Sequence, residues 1–287
     1  MAIRIVTDST SDIPIELAAR WNITVVPCYI IIGDQSYKDG VDITADEFYA
    51  QLTSGGRLPT TTQPTAADFQ AVYQELLSQG HQIVSVHISG KLSGTLNSAH
   101  QARAALGEED TSRIEIVDSQ LASVPLALLT VSAAEKAGRL ATPQEVGEAA
   151  KQEIPEIGCF FVPDTLEYLQ KGGRIGKASA FLGSMLNVKP ILTIKDGEAH
   201  PLERTRNLSR AIRRIIELAQ GNAPVRQLAV MYSTQREQVD TLLEGLSGLM
   251  AAEKIVVARF GPTLGSYLGP GAIGVAMMAT GDDILRP

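Results

Sequence analysis

Short apolar runs alternate with capped amphipathic segments through the first half of the chain, and this rhythm limits the fold more than any other feature. Residues 3–6 form such a run, and the hydroxyl-rich Thr7-Asp-Ser-Thr-Ser-Asp12 behind them leads into a helix opened by Pro14. Thr44-Ala-Asp-Glu47 has capping-box spacing ahead of Phe48, Tyr49 and Leu52. Thr65-Ala-Ala-Asp68 starts a further helix, with Phe69, Val72, Tyr73, Leu76 and Leu77 on one face. Residues 83–88 read as the next strand and 92–106 as the helix after it. A strand at 114–117, an Ala/Leu-rich helix over 122–137, and the strong helix start Thr142-Pro-Gln-Glu145 follow. Strands separated by helices predict a mainly parallel sheet covered on both faces.

The second half changes character. Segments 158–162 and 188–194 read as strands, and Asp196-Gly197 is a hairpin signal to an antiparallel neighbour. Helices over 205–219 and 235–249, with strands at 227–232, 255–260 and 272–278, complete a mixed sheet. Pro155 interrupts the pattern between the halves. The expectation is therefore an α/β chain of two domains: a mainly parallel α/β/α domain over 1–155 and a mixed-sheet α/β domain over 156–287. A chain of 287 residues is long enough for both. Charge divides at the same place, 10 basic against 19 acidic residues before it and 15 against 13 after it.

Several function classes drop out. A net charge of −7 and an aromatic content of 5% leave neither a basic footprint for phosphates nor a stacking platform for bases, so no nucleic-acid partner is expected. The start lacks the basic and apolar regions of a signal peptide. Residues 260–281 carry no charge, but six Gly and two Pro break them up, so they read as a buried loop and strand and not as a transmembrane segment. Cys28 and Cys159 form no CxxC motif and are expected as reduced core thiols of a cytoplasmic protein. His81, His87, His100 and His200 do not cluster, so neither a metal site nor a cofactor is expected. Neither GxSxG nor a P-loop occurs. Gly269-Pro-Gly-Ala-Ile-Gly274 satisfies GxGxxG, but only 13 residues follow it, and it reads as a tight turn into the last strand.

Hydroxyl groups gather where strands end. Thr60-Thr61-Thr62-Gln63-Pro64-Thr65 precedes one helix, and Ser89-Gly-Lys-Leu-Ser93-Gly94-Thr95 joins a strand to the next. In an α/β sheet ligands bind at the carboxyl ends of parallel strands, where helix N-termini favour an anion. Gly94 would let an oxygen approach the backbone closely. Plain helix capping is the other meaning of such clusters.

These same residues carry a family resemblance. Val6-Thr-Asp-Ser-Thr-Ser-Asp12, Pro59-Thr-Thr-Thr-Gln-Pro64 and Leu92-Ser-Gly-Thr95 resemble successive motifs of the DegV family. Lys171-Gly-Gly-Arg-Ile175, Lys189-Pro190, Asp196-Gly197 and Leu268-Gly-Pro-Gly-Ala-Ile-Gly274 resemble its later blocks, in the same order. The resemblance implies a two-domain fold that holds one long-chain fatty acid between the domains. It also implies a FakB-like carrier that presents the carboxylate to a partner, a FakA-like fatty acid kinase subunit, for conversion to acyl phosphate. The carrier is then not itself an enzyme. By motif match, Thr61 and Ser93 would hydrogen-bond the carboxylate, with the Gly94 N–H and Thr62 nearby, and Arg174 and Arg206 would contact the kinase. Tyr267 stands where many members carry His beside the carboxylate; a phenol donates a hydrogen bond but takes up no proton at neutral pH.

Phe181-Leu-Gly-Ser-Met-Leu186 is a candidate lining for an acyl tunnel, with ordinary core packing as its alternative. Arg206, Arg210 and Arg214 recur at helical spacing, with Arg204 and Arg213 close by and no acid from 204 to 214, a basic face suited to an acidic partner. Two other functions stay open on the sequence: a lipid sensor or transport protein with no kinase, and a hydrolase with Ser93 as nucleophile, for which no His or Lys base can be assigned.

Overall fold

The computed structural model describes residues 2–55, 57–183 and 188–280. The first half runs β1 (Ile3–Asp8), α1 (Ile15–Arg20), β2 (Thr24–Val26), β3 (Tyr29–Ile32) and β4 (Gln35–Lys38). It continues with α2 (Ala45–Thr53), β5 (Thr60–Thr62), α3 (Ala66–Ser78), β6 (Gln82–His87) and α4 (Thr95–Ala104). Then come α5 (Glu108–Ser112), β7 (Ile114–Asp118), α6 (Val124–Ala137) and α7 (Pro143–Glu153). The second half holds β8 (Ile157–Val162), α8 (Leu166–Lys171), β9 (Lys189–Lys195), β10 (Glu198–Thr205) and α9 (Leu208–Gly221). It ends with β11 (Val225–Tyr232), α10 (Arg236–Leu246), β12 (Val256–Arg259), α11 (Pro262–Leu268) and β13 (Ile273–Ala279).

Three sheets result. The parallel sheet has the order β2-β1-β6-β7, and the mixed sheet β10-β9-β8-β13-β11-β12. The α/β expectation therefore holds, with one addition: β4-β3-β5 is a small antiparallel sheet in the first half. Its strands span three or four residues each, too short to show a period. The capping boxes at Thr44/Glu47, Thr65/Asp68 and Thr142/Glu145 all form. Asp196 and Gly197 turn the β9–β10 hairpin with φ of 51° and 78°, as an Asp-Gly turn requires.

The alternation of side chains across each strand sorts the core. In β8, Phe160 and Val162 face the helices α9 and α10, while Cys159 and Phe161 face the opposite side. Met231 of β11 and Ala276 of β13 share that second face. Helix α6 lies against it and also packs on β1 and β6 of the parallel sheet. Ten consecutive residues of α6, Val124 to Ala133, are buried, as expected of a helix covered on all sides. One hydrophobic cluster thus runs from the parallel sheet through α6 to the mixed sheet.

The charge-free segment that begins at 260 forms a helix ahead of the expected strand. Instead of a loop, Gly261 and Pro262 start α11, and Gly265 lets it press against α2, since a Cβ there would lie 2.6 Å from the Tyr49 hydroxyl. The glycines of 269–274 serve packing: Gly269 has φ +78°, and a side chain on Gly271 would meet Asp164. Among the described residues no helix is long and apolar enough to cross a membrane.

Candidate functional site

A cavity lies where the two halves meet at the start of α6. The first half contributes Thr10, Cys28, Thr61, Thr62, Gln63, Ile88, Leu92, Ser93, Ala122, Ser123 and Pro125. The second contributes Cys159, Phe161, Leu169, Arg174, Ile194, Ala199, Met231 and Phe260, with Thr263, Leu264, Tyr267 and Leu268 of α11. Apolar groups dominate this lining, and a few polar ones converge at its rim. That combination is the usual make-up of a small-molecule site.

The rim is a linked set of partly exposed groups. The Thr61 and Tyr267 hydroxyls are 2.5 Å apart. The Arg174 guanidinium sits 5.5 Å from the centre of the Tyr267 ring and donates through Nε to the Leu92 carbonyl at 3.1 Å and through Nη1 to the Gly172 carbonyl at 2.7 Å. Ser93 follows Leu92; its Oγ pairs with Thr95 Oγ1 at 2.9 Å and accepts from the Thr95 N–H at 3.3 Å. A second cavity shares Thr61, Arg174 and Tyr267 with the first and adds Tyr168, Lys171 and Gly172.

The interior wall also carries hydroxyls, but each is committed to an aspartate. Thr10 donates from N and Oγ1 to Asp8. Ser123 Oγ donates to Asp12 at 2.6 Å, and Thr263 donates to Asp39 from N at 3.2 Å and from Oγ1 at 2.5 Å. Asp12 also accepts the Gly261 N–H, and Asp39 the Ser9 hydroxyl. Two carboxylates of the first half therefore anchor the start of α11 in the second. Ser123 is held at φ +57°, an uncommon conformation for a side-chain-bearing residue, which this network sustains. Burial pushes the Asp39 carboxyl up to about 6, against the lowering effect of its bonds from Thr263 and Ser9. Burial likewise drives Asp12 well above the usual carboxylate range and Cys159 up to about 12, so that thiol is neutral, apolar lining.

Of the residues expected at a carboxylate, Thr61, Thr62, Ser93 and Tyr267 come together at the rim. Thr61 sits on β5, not in a loop. Ser93 does not open the helix: α4 begins at Thr95, and Gly94 takes the N-cap position with no side-chain bond. Gly94 stands behind Gln63, whose Nε2 would lie 2.7 Å from a Cβ there, so the close approach at this glycine is Gln63's. Gln63 belongs to the same motif as Thr61, and Thr10 to the hydroxyl-rich 7–12, whereas Ser123 and Thr263 carry no local signal for the wall.

Arg174 is exposed and lines the cavity, while Arg206 is exposed in the link before α9. The basic run is broken up: Arg214 is neutralised by Glu203 and Glu217, and Arg204 stacks on Phe181. Phe181 and Leu182 pack on the core and are not part of the lining, and 184–186 of that candidate tunnel fall outside the described residues. The Ser93 hydrolase reading gains no base, because no histidine lines the cavity among the described residues. His87 is buried, with Nδ1 on Asp8 at 2.9 Å and Nε2 on Ser85 at 2.7 Å. Among the described residues no cluster of His, Cys, Asp or Glu is placed to hold a metal ion.

The profile of the family described as "Uncharacterised protein, DegV family" matches residues 2–280. The chain belongs to the DegV family. A DegV domain-containing protein of Caldanaerobacter subterraneus is 36% identical over 276 residues, 95% of this chain and 97% of that one. A DegV-family protein of Thermus thermophilus, described by its fatty acid binding, has a similar structure: TM-score 0.89 and 34% identity over 98% of this chain and 100% of that one. A stearic acid-binding protein of Eubacterium ventriosum superposes at TM-score 0.87 with 25% identity, over 96% of this chain and 97% of that one. In this chain, motifs far apart in sequence, such as Leu92–Thr95 and Lys171–Ile175, are neighbours at one cavity rim.

Proposed function

We propose that this chain binds one long-chain fatty acid, with the acyl chain in the interdomain cavity and the carboxylate at its rim. The observation that carries this reading is the cavity itself, an apolar chamber whose rim holds redirectable hydroxyls. On this reading the domains are 1–155 and 156–287, and the ligand lies between them. Thr61 and Tyr267 turn their hydroxyls from each other to one carboxylate oxygen, and Ser93 serves the other, with Thr62 and the Gly94 N–H close by. Hydrogen bonds to an ionised group are the stronger kind, and they favour the acid over a neutral lipid. The fatty acids bound by the structural neighbours from T. thermophilus and E. ventriosum support the ligand class. Native mass spectrometry of the purified protein, followed by solvent extraction, should find a fatty acid of C14–C18 length, a range taken from the family resemblance. Empty protein that also ignores added palmitate and oleate sinks the proposal.

The finer proposal is a carrier role: the protein is not itself an enzyme, needs no cofactor, and presents the carboxylate to a fatty acid kinase subunit in the cytoplasm. Two unpaired buried cysteines fit that reducing compartment. The partly exposed rim and the exposed Arg174 and Arg206 support a partner. Arg206→Ala, remote from the cavity lining, should weaken coupling to the kinase and leave fatty-acid affinity unchanged. Arg174→Ala should affect both, because its guanidinium also lies against Tyr267. A protein that binds fatty acid yet is never phosphorylated on its ligand would be a lipid sensor or transporter.

A further inference from the structure

Two adjacent glycines, Gly172 and Gly173, follow α8, and they are glycine for different reasons. Gly173 has φ +70° with open space around its Cα, so its backbone alone demands glycine. Gly172 has φ −74° and ψ −9°, a conformation any residue adopts, so its backbone demands nothing. What it faces is the Tyr267 ring. A Cβ built on Gly172 would lie 2.5 Å from Tyr267 Cε1 and closer still to Cδ1. Those atoms belong to a rigid ring and not to the yielding tip of a chain, so the ring would have to move.

Its position is set on other sides as well. The hydroxyl meets Thr61 at 2.5 Å, the Arg174 guanidinium covers the ring, and that guanidinium is itself held by the Gly172 carbonyl at 2.7 Å. Thr61 and Tyr267 border both cavities, so their hydrogen bond is part of the partition between them. We infer that Gly172 is a positioning residue for the ligand's head: its missing side chain seats Tyr267 so that the phenol reaches Thr61 and the carboxylate they share. This rests on the fatty-acid reading above and adds to it the residue that sets the donor geometry.

The test uses the full chain and two probes, palmitate and hexadecanol, titrated against wild type, Gly172→Ala, Tyr267→Phe and the double variant. Gly172→Ala should weaken palmitate roughly tenfold, the scale of one lost hydrogen bond to a charged group. Hexadecanol should be nearly unaffected, and in the Tyr267→Phe background, where the phenol is already gone, Gly172→Ala should add little. Equal weakening of acid and alcohol, or a full additional loss in that background, overturns the inference. Should Gly172→Ala fold poorly, Gly172→Ala/Tyr267→Ala removes the ring that the new Cβ meets. Recovery of the fold there supports the inference, and continued instability would point to the Tyr168 carbonyl, 3.1 Å away, and refute it. Wild-type protein that binds neither probe would instead defeat the fatty-acid reading itself.

Discussion

The rim and the interior wall of the cavity are built from the same side chains and behave oppositely. Thr61 and Tyr267 bond to each other and Ser93 bonds to Thr95, all of them partly exposed, so their protons can turn to a ligand. Thr10, Ser123 and Thr263 are buried, and each gives its proton to an aspartate behind the wall. A hydroxyl on a cavity surface is therefore not yet a ligand donor; what decides is whether something behind it already holds the proton. The wall's hydroxyls secure the join between the halves, and the rim's hydroxyls are left to recognise an anion.

The largest effect expected on the wall side is its dependence on pH. Asp39 titrates at about 6 in the folded chain, above the value of about 3.9 for a solvated aspartate. The folded state thus holds the proton more tightly than the unfolded one. Asp39's cost is absent below the unfolded value and grows as pH rises through the window from about 4 to 6, reaching about 3 kcal/mol. Asp12, also raised, acts in the same direction, so the comparison that isolates Asp39 is Asp39→Asn against wild type. Glu153 acts the other way. Burial pushes it up, but bonds from Lys136, Ser132 and Arg226 outweigh this and hold it low, so its contribution is lost only as pH falls through that lowered value. Urea unfolding across the window should show a shallower fall in stability with rising pH for Asp39→Asn. Parallel curves would mean that the wall carboxylate carries no such cost.

Next in size is a crossed pair of substitutions that separates rim from wall. Thr263→Val keeps the shape but removes the proton given to Asp39, and should cost about 1–3 kcal/mol of folding stability. Its effect on the ratio of fatty-acid to fatty-alcohol affinity should be small. Ser93→Ala should do the reverse, weakening the acid by roughly tenfold to a hundredfold while the alcohol and the unfolding midpoint stay near wild type. Denaturation and calorimetry on both variants decide it. If Ser93→Ala weakens acid and alcohol alike, its hydroxyl serves only the start of α4, through the Thr95 N–H it already accepts.

The two regions also differ in how far the sequence discloses them. Thr61, Thr62 and Ser93 of the rim were legible because they fall in compact hydroxyl clusters at 60–65 and 89–95, at the ends of elements that local capping signals locate, whereas Tyr267 was marked only by the family resemblance. Thr10 and Asp8 share one hydroxyl-rich motif, but Ser123 and Thr263 were not legible, because Ser123 and its aspartate are 111 residues apart, and Thr263 and Asp39 are 224 apart. No local pattern encodes such a pair. Helix α11 was missed for the same reason. Glycines at 261, 265 and 269 read as loop, whereas distant groups hold the helix in place: Asp12 and Asp39 at its start, Phe48 and Tyr49 along its side. The basic run at 204–214 is narrowed in the converse way, since Glu203 and Glu217 flank it in sequence and meet Arg214 in space, while Arg206 and Arg210 stay exposed.

Gly94 supplies the smallest and sharpest test, because sequence and structure give it different reasons to be glycine. On the sequence it stands at the rim so that a ligand oxygen can reach the backbone, and any side chain there should then cost binding. In the fold its φ is −73°, which alanine accepts, and the atoms a Cβ would meet belong to the amide of Gln63. That amide is the far end of a flexible side chain, half in solvent, and can step aside. Gly94→Ala should therefore change stability by no more than about 0.5 kcal/mol, the usual range for a site free of packing constraints. Palmitate affinity should change by less than about threefold, within the same energy. A loss as large as that of Ser93→Ala, confined to the acid, would show that the ligand oxygen comes close enough to the Gly94 backbone for a Cβ to obstruct it.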